Sequence, residues 1–178
     1  LEILKSQINF LEQQKNANTG LEKIKLEYQL VRTQYIKAYD DLLDAVTKPK
    51  IDLSKPENLE IIICSLQFWE GKRIQNLAYT IMPNHIHWVV KLFEKDNSGN
   101  LVYLQDILHS VKRYSSNKIN KTVNRSGTLW QKESFDTTIR NDRHLFNAIN
   151  YTLNNPVKAG LVSDWRDWKG TFKGCSDF

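Results

Sequence analysis

The sequence predicts an α+β protein built on an antiparallel sheet, and three observations predict it. Two apolar runs flank Met82-Pro83-Asn84, which reads as strand, sharp break, strand, because Pro lacks an amide donor and stops a ladder. Other segments repeat apolar residues every three or four positions, the period of a helix face. Strands are few and do not alternate with helices as a parallel sheet requires. With 178 residues and 40% apolar side chains, the chain can fill the core of one compact domain and carry a helical appendage.

In chain order, Leu4, Ile8 and Leu11 suggest a short helix, and Asn16–Gly20 a turn. Leu21, Ile24, Tyr28, Val31, Tyr35, Ala38 and Leu42 keep helical spacing over three heptads. Residues 1–50 therefore read as a helical hairpin whose charges nearly cancel, a scaffold or interaction arm, with residues 51–178 as the main domain. Ser54-Lys55-Pro56-Glu57 reads as a helix start, with Ser54 as N-cap and Glu57 completing a capping box. Leu59, Ile62, Ile63, Leu66 and Trp69 give that helix its buried face, and Gly71 ends it. Strands are expected over about 73–81 and 85–93. A helix follows over about 101–120, buried through Leu101, Leu104, Leu108 and Val111. Thr128–Ile139 reads as a strand or an irregular extended segment. A last helix opens at Asn141-Asp142 and is expected to stop near Asn155, because Pro156 disfavours α geometry in the residue before it. Its apolar stripe is Leu145, Phe146, Ile149 and Leu153.

A net charge of +5 permits an acidic partner but falls far short of a histone-like polycation. Cys64 and Cys175 are far apart and lack metal-ligand spacing, which suits a reducing compartment. No apolar run approaches the roughly 18 residues of a membrane span, and no signal peptide is visible. The expected location is the cytoplasm.

Three features could carry chemistry. In an extended chain side chains alternate, so His85, His87 and Val89 share one face while Ile86, Trp88, Val90 and Leu92 share the other. Both imidazoles can then lean onto one metal ion, although two donors alone leave a site incomplete. On the last helix, Tyr151 falls nearly opposite the apolar stripe and Asn155 lies one turn further along the same side. A plain surface tyrosine is one reading of that position. The other is a phenol beside a His-His-Asn metal site that polarises a phosphodiester, with the tyrosine oxygen as covalent nucleophile. Third, no acidic residue occurs between Ile107 and Lys132, while Lys112, Arg113, Lys118, Lys121, Arg125 and Lys132 are basic. Tyr114 and Trp130 interleave with them. Such a face either is simply solvated or contacts phosphates and stacks unpaired bases.

Three stretches occur together in order: Met82-Pro83-Asn84-His85-Ile86-His87, then Leu129-Trp130-Gln131-Lys132-Glu133-Ser134-Phe135-Asp136, then Tyr151-Thr152-Leu153-Asn154-Asn155-Pro156-Val157-Lys158-Ala159-Gly160-Leu161-Val162. Over residues 50–172 the chain resembles the single-strand HUH transposases with one catalytic tyrosine, specifically the REP-associated tyrosine transposase branch. The resemblance implies a ferredoxin-like antiparallel sheet with helices on one face. It implies Mg²⁺- or Mn²⁺-dependent cleavage and rejoining of single-stranded DNA beside hairpins of repetitive extragenic palindrome type, through a 5′-phosphotyrosine. By position in the motifs, His85 and His87 match the metal ligands, Tyr151 the nucleophile and Asn155 the third ligand. Lys158, inside the third motif, joins the expected DNA-contacting residues. Relatives of this kind include monomers and homodimers. The family opens with a core β-strand ahead of its first helix. None is read before residue 50, so that strand is expected to be missing here. Two alternatives stay open: a relative that holds DNA hairpins without cutting, and a relaxase- or replication-initiator-type nuclease.

Overall fold

A computed structural model describes residues 2–16, 21–45, 49–132 and 134–174. It divides into two units, Leu1–Thr47 and Lys48–Phe178. In the first, α1 (Glu2–Asn16) and α2 (Leu21–Asp44) pack against each other as the expected hairpin. Leu11 and Val31 are buried there, and the Tyr28 hydroxyl donates to Glu12 Oε1 at 2.9 Å. The turn expected around Asn16–Gly20 falls largely outside the described residues.

The second unit has the expected α+β class: an antiparallel sheet with packed helices. The described elements are α3 (Pro56–Gln67), β1 (Ile74–Ile81), β2 (Ile86–Leu92), α4 (Leu104–Thr122), α5 (Asp142–Lys158) and the short strand β3 (Thr171–Lys173). Strand order is β2-β1-β3. No strand precedes β1 among the described residues, and none of their helices is long and apolar enough to cross a membrane. The β1–β2 hairpin matches the sequence reading to within a residue at each end. Met82 N–H donates to His85 C=O at 2.9 Å, which leaves Pro83 and Asn84 as the two central turn residues. The short β3 was not read from the sequence. Three residues carry too little pattern, and two glycines rather than apolar side chains let it approach. A Cβ on Gly170 would sit 2.7 Å from Ile81 C=O, while the Gly170 carbonyl accepts from Ile81 N–H at 3.0 Å.

The register fixes two different faces. Tyr79 pairs with Trp88 and Phe172, and Ile81 with Ile86. That side packs on α3 and α4 through Leu59, Ile62, Leu66, Val111 and Ile119. Thr80 pairs with His87, and Ala78 with Val89. A bulge between Asn76 and Ala78 sets two β1 residues against one on β2. Leu77 and Ala78 therefore both join the cluster formed with Val89 and with Ile149 and Leu153 of α5. Helices thus cover both faces, not one. The correction follows from the alternation itself: Ala78 and Val89 are apolar on the histidine side, and α5 buries them.

Three local expectations are corrected, and the reading of residues 128–139 is narrowed to the irregular one of its two alternatives. Lys55, not Ser54, is the N-cap of α3, and it makes no side-chain cap. The residue before Pro56 is held extended, which is already N-cap geometry, while Ser54 is taken by Asp52 Oδ1 through both its N–H (2.9 Å) and hydroxyl (2.6 Å). Helix α4 starts at Leu104 and buries Ile107, Val111, Ser115 and Ile119, leaving Leu101 exposed in a bridge with Lys95. Residues 128–139 contain no strand among those described. Helix α5 runs through Pro156 to Lys158. Its buried set is Ile149, Thr152, Leu153, Asn155 and Pro156, while Phe146 is 67% exposed. On a wheel of about 100° per residue the buried stripe is turned by roughly 45° from the apolar one, toward Asn155.

Candidate active site

His85 closes the hairpin turn and His87 is the second residue of β2, so a rigid ladder sets both rings. His85 is buried, 9% exposed, and His87 is half-buried. Their Nε2 atoms lie 2.9 Å apart, with ring centroids at 4.7 Å and planes near perpendicular. Asn84 Oδ1 lies 2.8 Å from His85 Nδ1. On the facing helix, the Tyr151 ring stands edge-on to His87, centroids 5.5 Å apart and planes at 89°. Tyr151 is 43% exposed, so its phenol is held at the edge of the packed region and stays within reach of solvent.

Asn155 is 1% exposed. Its Nδ2 donates to Tyr151 C=O at 2.8 Å, while its Oδ1, like those of Asn58 and Asn120, is buried without a hydrogen-bond partner among the described residues. A buried amide oxygen with no donor costs about 1–3 kcal/mol, so an orphan here is a feature to be explained. The N-cap of α5 is secured by Asn141 Oδ1, which accepts from His144 N–H at 2.8 Å. At the far end Ala159 N–H donates to Asn155 C=O at 2.9 Å, and Gly160 takes the positive φ of 69° that terminates the helix.

The spacing of the two imidazoles is one that a divalent ion could span. Two nitrogens each about 2.1 Å from one ion and at right angles lie about 3.0 Å apart, the edge of an octahedron of the kind Mg²⁺ demands. The observed 2.9 Å between Nε2 atoms matches that edge. Among the described residues no three His, Cys, Asp or Glu side chains cluster as a metal set. Among the described residues, the buried amide oxygen of Asn155 is a candidate for a third donor.

The expected DNA-contacting residues separate into two groups. Arg113, Tyr114, Lys118 and Lys121 lie exposed along α4, with Lys118 Nζ 5.8 Å from the centre of the Tyr114 ring. Lys158 is exposed in the last turn of α5 and Lys132 is exposed in the irregular segment. Others also serve the scaffold. Lys112 Nζ donates to Gln131 C=O at 2.8 Å and Lys132 C=O at 3.3 Å, strapping that segment to α4. Trp130 packs against the core, and its indole N–H donates to Ser115 Oγ at 2.8 Å. Arg125 donates to Thr128 C=O at 3.1 Å. Together with Lys50 and Asn84, Arg125 and Trp130 line a cleft beside the histidine turn. Asn84 and Ser115 were not read as site or support residues from the sequence. The only signal was Asn84 standing immediately before a His-x-His.

No protein-family model matches the chain, and no solved structure matches it. A curated protein of Haemophilus influenzae, named "Putative REP-associated tyrosine transposase", is 31% identical over 106 residues, 57% of this chain and 60% of that relative. The chain thus spans about 60% of the length of the curated relative it matches. The name on that relative is the one to which the three motifs point, and over the aligned 106 residues this chain is similar to it.

Proposed function

We propose that this protein cuts and rejoins single-stranded DNA beside hairpins, with Tyr151 as nucleophile and His85, His87 and Asn155 as ligands of Mg²⁺ or Mn²⁺. One observation carries the reading: the Tyr151 ring packs on His87, whose Nε2 meets that of His85 at 2.9 Å. A chance surface tyrosine has no reason to sit against a convergent imidazole pair. When bound, the divalent ion would polarise the scissile phosphodiester and offset the charge that develops on it. The chain's own residues supply the rest. The Tyr151 oxygen attacks phosphorus, the bond from phosphorus to the 3′-oxygen breaks, and the tyrosine proton is balanced by the one taken up at the leaving 3′-hydroxyl. The 5′-phosphate stays on Tyr151, so attack by another 3′-hydroxyl reverses the step and joins a new strand. Arg113, Lys118 and Lys121 on α4 offer charge to the DNA backbone, and the exposed Tyr114 offers a stacking face.

A 3′-labelled hairpin oligonucleotide incubated with the protein and Mn²⁺ should yield a label covalently attached to protein. Tyr151→Phe should abolish that band and Tyr114→Phe should keep it. The opposite pattern refutes the assignment. Hairpin binding that is indifferent to EDTA, with no adduct in any metal, would instead identify a non-cleaving DNA-binding relative.

A further inference from the structure

We propose that Asn84 is a positioning residue for His85: it fixes which ring nitrogen carries the proton and so presents Nε2 as a ready metal donor. The inference rests on the metal-site reading above and extends it to a residue outside the ligand set.

The argument is one of hydrogen-bond chemistry. Asn84 Oδ1 lies 2.8 Å from His85 Nδ1. An amide oxygen can only accept, so Nδ1 must be the protonated nitrogen, and in a neutral imidazole Nε2 then carries the lone pair. Ligating histidines generally donate their other N–H to an oxygen in this way, which sets both tautomer and ring orientation. The donor–acceptor geometry is built into the turn. Met82 N–H bonds to His85 C=O at 2.9 Å, and Leu53 N–H bonds to Pro83 C=O at 2.8 Å, so the two central turn residues are tied on both sides. His85 is itself 9% exposed, which limits competition from water for Nδ1.

The same reasoning makes the pair unequal. With the lone pair at His85 Nε2, the 2.9 Å contact to His87 Nε2 requires the metal-free His87 to donate its Nε2–H across it. A metal ion would take the place of that proton. His85 is therefore prepared for a cation, and His87 must shift its proton to become the second donor. Asn84 biases the order in which the two rings engage.

The test has a metal-free arm and a metal arm. Near pH 8, where an ordinary imidazole is neutral, the ¹⁵N shifts of His85 in the metal-free full chain should show the Nδ1–H tautomer. Asn84→Ala should lose that bias and weaken Mn²⁺ binding, measured by calorimetry, by about 10–100-fold. Asn84→Asp keeps an oxygen acceptor and should restore both. An Nε2–H tautomer at His85 in the unaltered protein overturns the proposal even if Asn84→Ala fails to fold. So does an Asn84→Ala protein of normal melting temperature that binds Mn²⁺ as tightly as the unaltered one. Should the unaltered protein show the Nδ1–H tautomer, lost in Asn84→Ala, but bind no Mn²⁺, the metal reading fails while Asn84's control of His85 stands.

Discussion

Replacing Asn155 by Ala separates a ligand from a packing residue, because the two roles predict different energies under different conditions. Without metal, the change removes the hydrogen bond from Nδ2 to Tyr151 C=O, worth about 0.5–1.5 kcal/mol. It also deletes the buried, partnerless Oδ1, whose presence costs about 1–3 kcal/mol. These terms oppose each other, and the cavity left by a fully buried side chain offsets the remaining gain, so in EDTA the melting temperature should move by no more than a few degrees. With Mn²⁺ at a hundred times its Kd, the unaltered protein gains about 2.7 kcal/mol from binding. A variant that binds about 30-fold more weakly gains only about 0.9 kcal/mol at the same concentration. At about 2–4 °C per kcal/mol, the Mn²⁺-induced shift should fall from roughly 5–11 °C to roughly 2–4 °C. Differential scanning fluorimetry in EDTA and across a Mn²⁺ titration measures both quantities. A variant that keeps the full Mn²⁺ shift, while His87→Ala loses it, shows that Asn155 is not a ligand. A large loss in EDTA shows that the amide holds the helix instead.

Two further outcomes test the scaffold and the proposed DNA-contacting residues. Gly170→Ala places a Cβ 2.7 Å from Ile81 C=O and 3.0 Å from Trp168 Nε1, which forces β3 away from β1. Overpacking of this kind should lower stability by about 1–3 kcal/mol, read as a reduced melting temperature, and an unchanged melt would show that β3 is not tightly docked. Trp130→Phe and Tyr114→Ala should behave oppositely. The first strips the donor from Ser115 Oγ and should cost about 1 kcal/mol of stability with little change in hairpin affinity. The second touches only an exposed ring and should weaken single-stranded DNA binding by about 1–3 kcal/mol with stability unchanged. Thermal melts paired with anisotropy titrations decide it, and the reverse assignment would make Trp130 the stacking residue.

The hairpin was legible because strand alternation is a strict period: once His85 and His87 share a face, Ile86 and Trp88 must anchor the other. The existence of α3, α4 and α5 was legible from their apolar spacing. The orientation of α4 and α5 was less so. Apolar residues mark which side of a helix can be buried, but Ser115, Asn155 and Pro156 are buried for reasons of partner and fit that hydropathy does not encode. Phe146 shows the converse, an apolar residue that the docking of α5 leaves in solvent. Its basic neighbours mark Trp130 as a candidate stacking platform, yet its indole is committed to Ser115, a contact between residues 15 apart that no local pattern announces. The β3 strand escaped because glycines make its approach possible, and glycines mark turns more often than pairings.

Two ordinary preferences fail together near Tyr151. A helix should end by Asn155, the residue before Pro156, and it does not; a buried amide oxygen should find a donor, and among the described residues Asn155 Oδ1 does not. Each has a cost, since a proline inside a helix removes a bond and crowds the preceding turn. The continuation to Lys158 has a geometric consequence: Ala159 N–H bonds to Asn155 C=O at 2.9 Å, so Asn155 lies inside the helix rather than at its end. A helix that stopped one turn earlier would satisfy the backbone better and would leave Asn155 outside it. Local rules broken in the same turn, one residue away from each other, are what a site selected for chemistry over stability would leave. On the proposal above, Asn155 and the histidine pair act as one device, and a bound cation would supply the partner that Oδ1 lacks among the described residues.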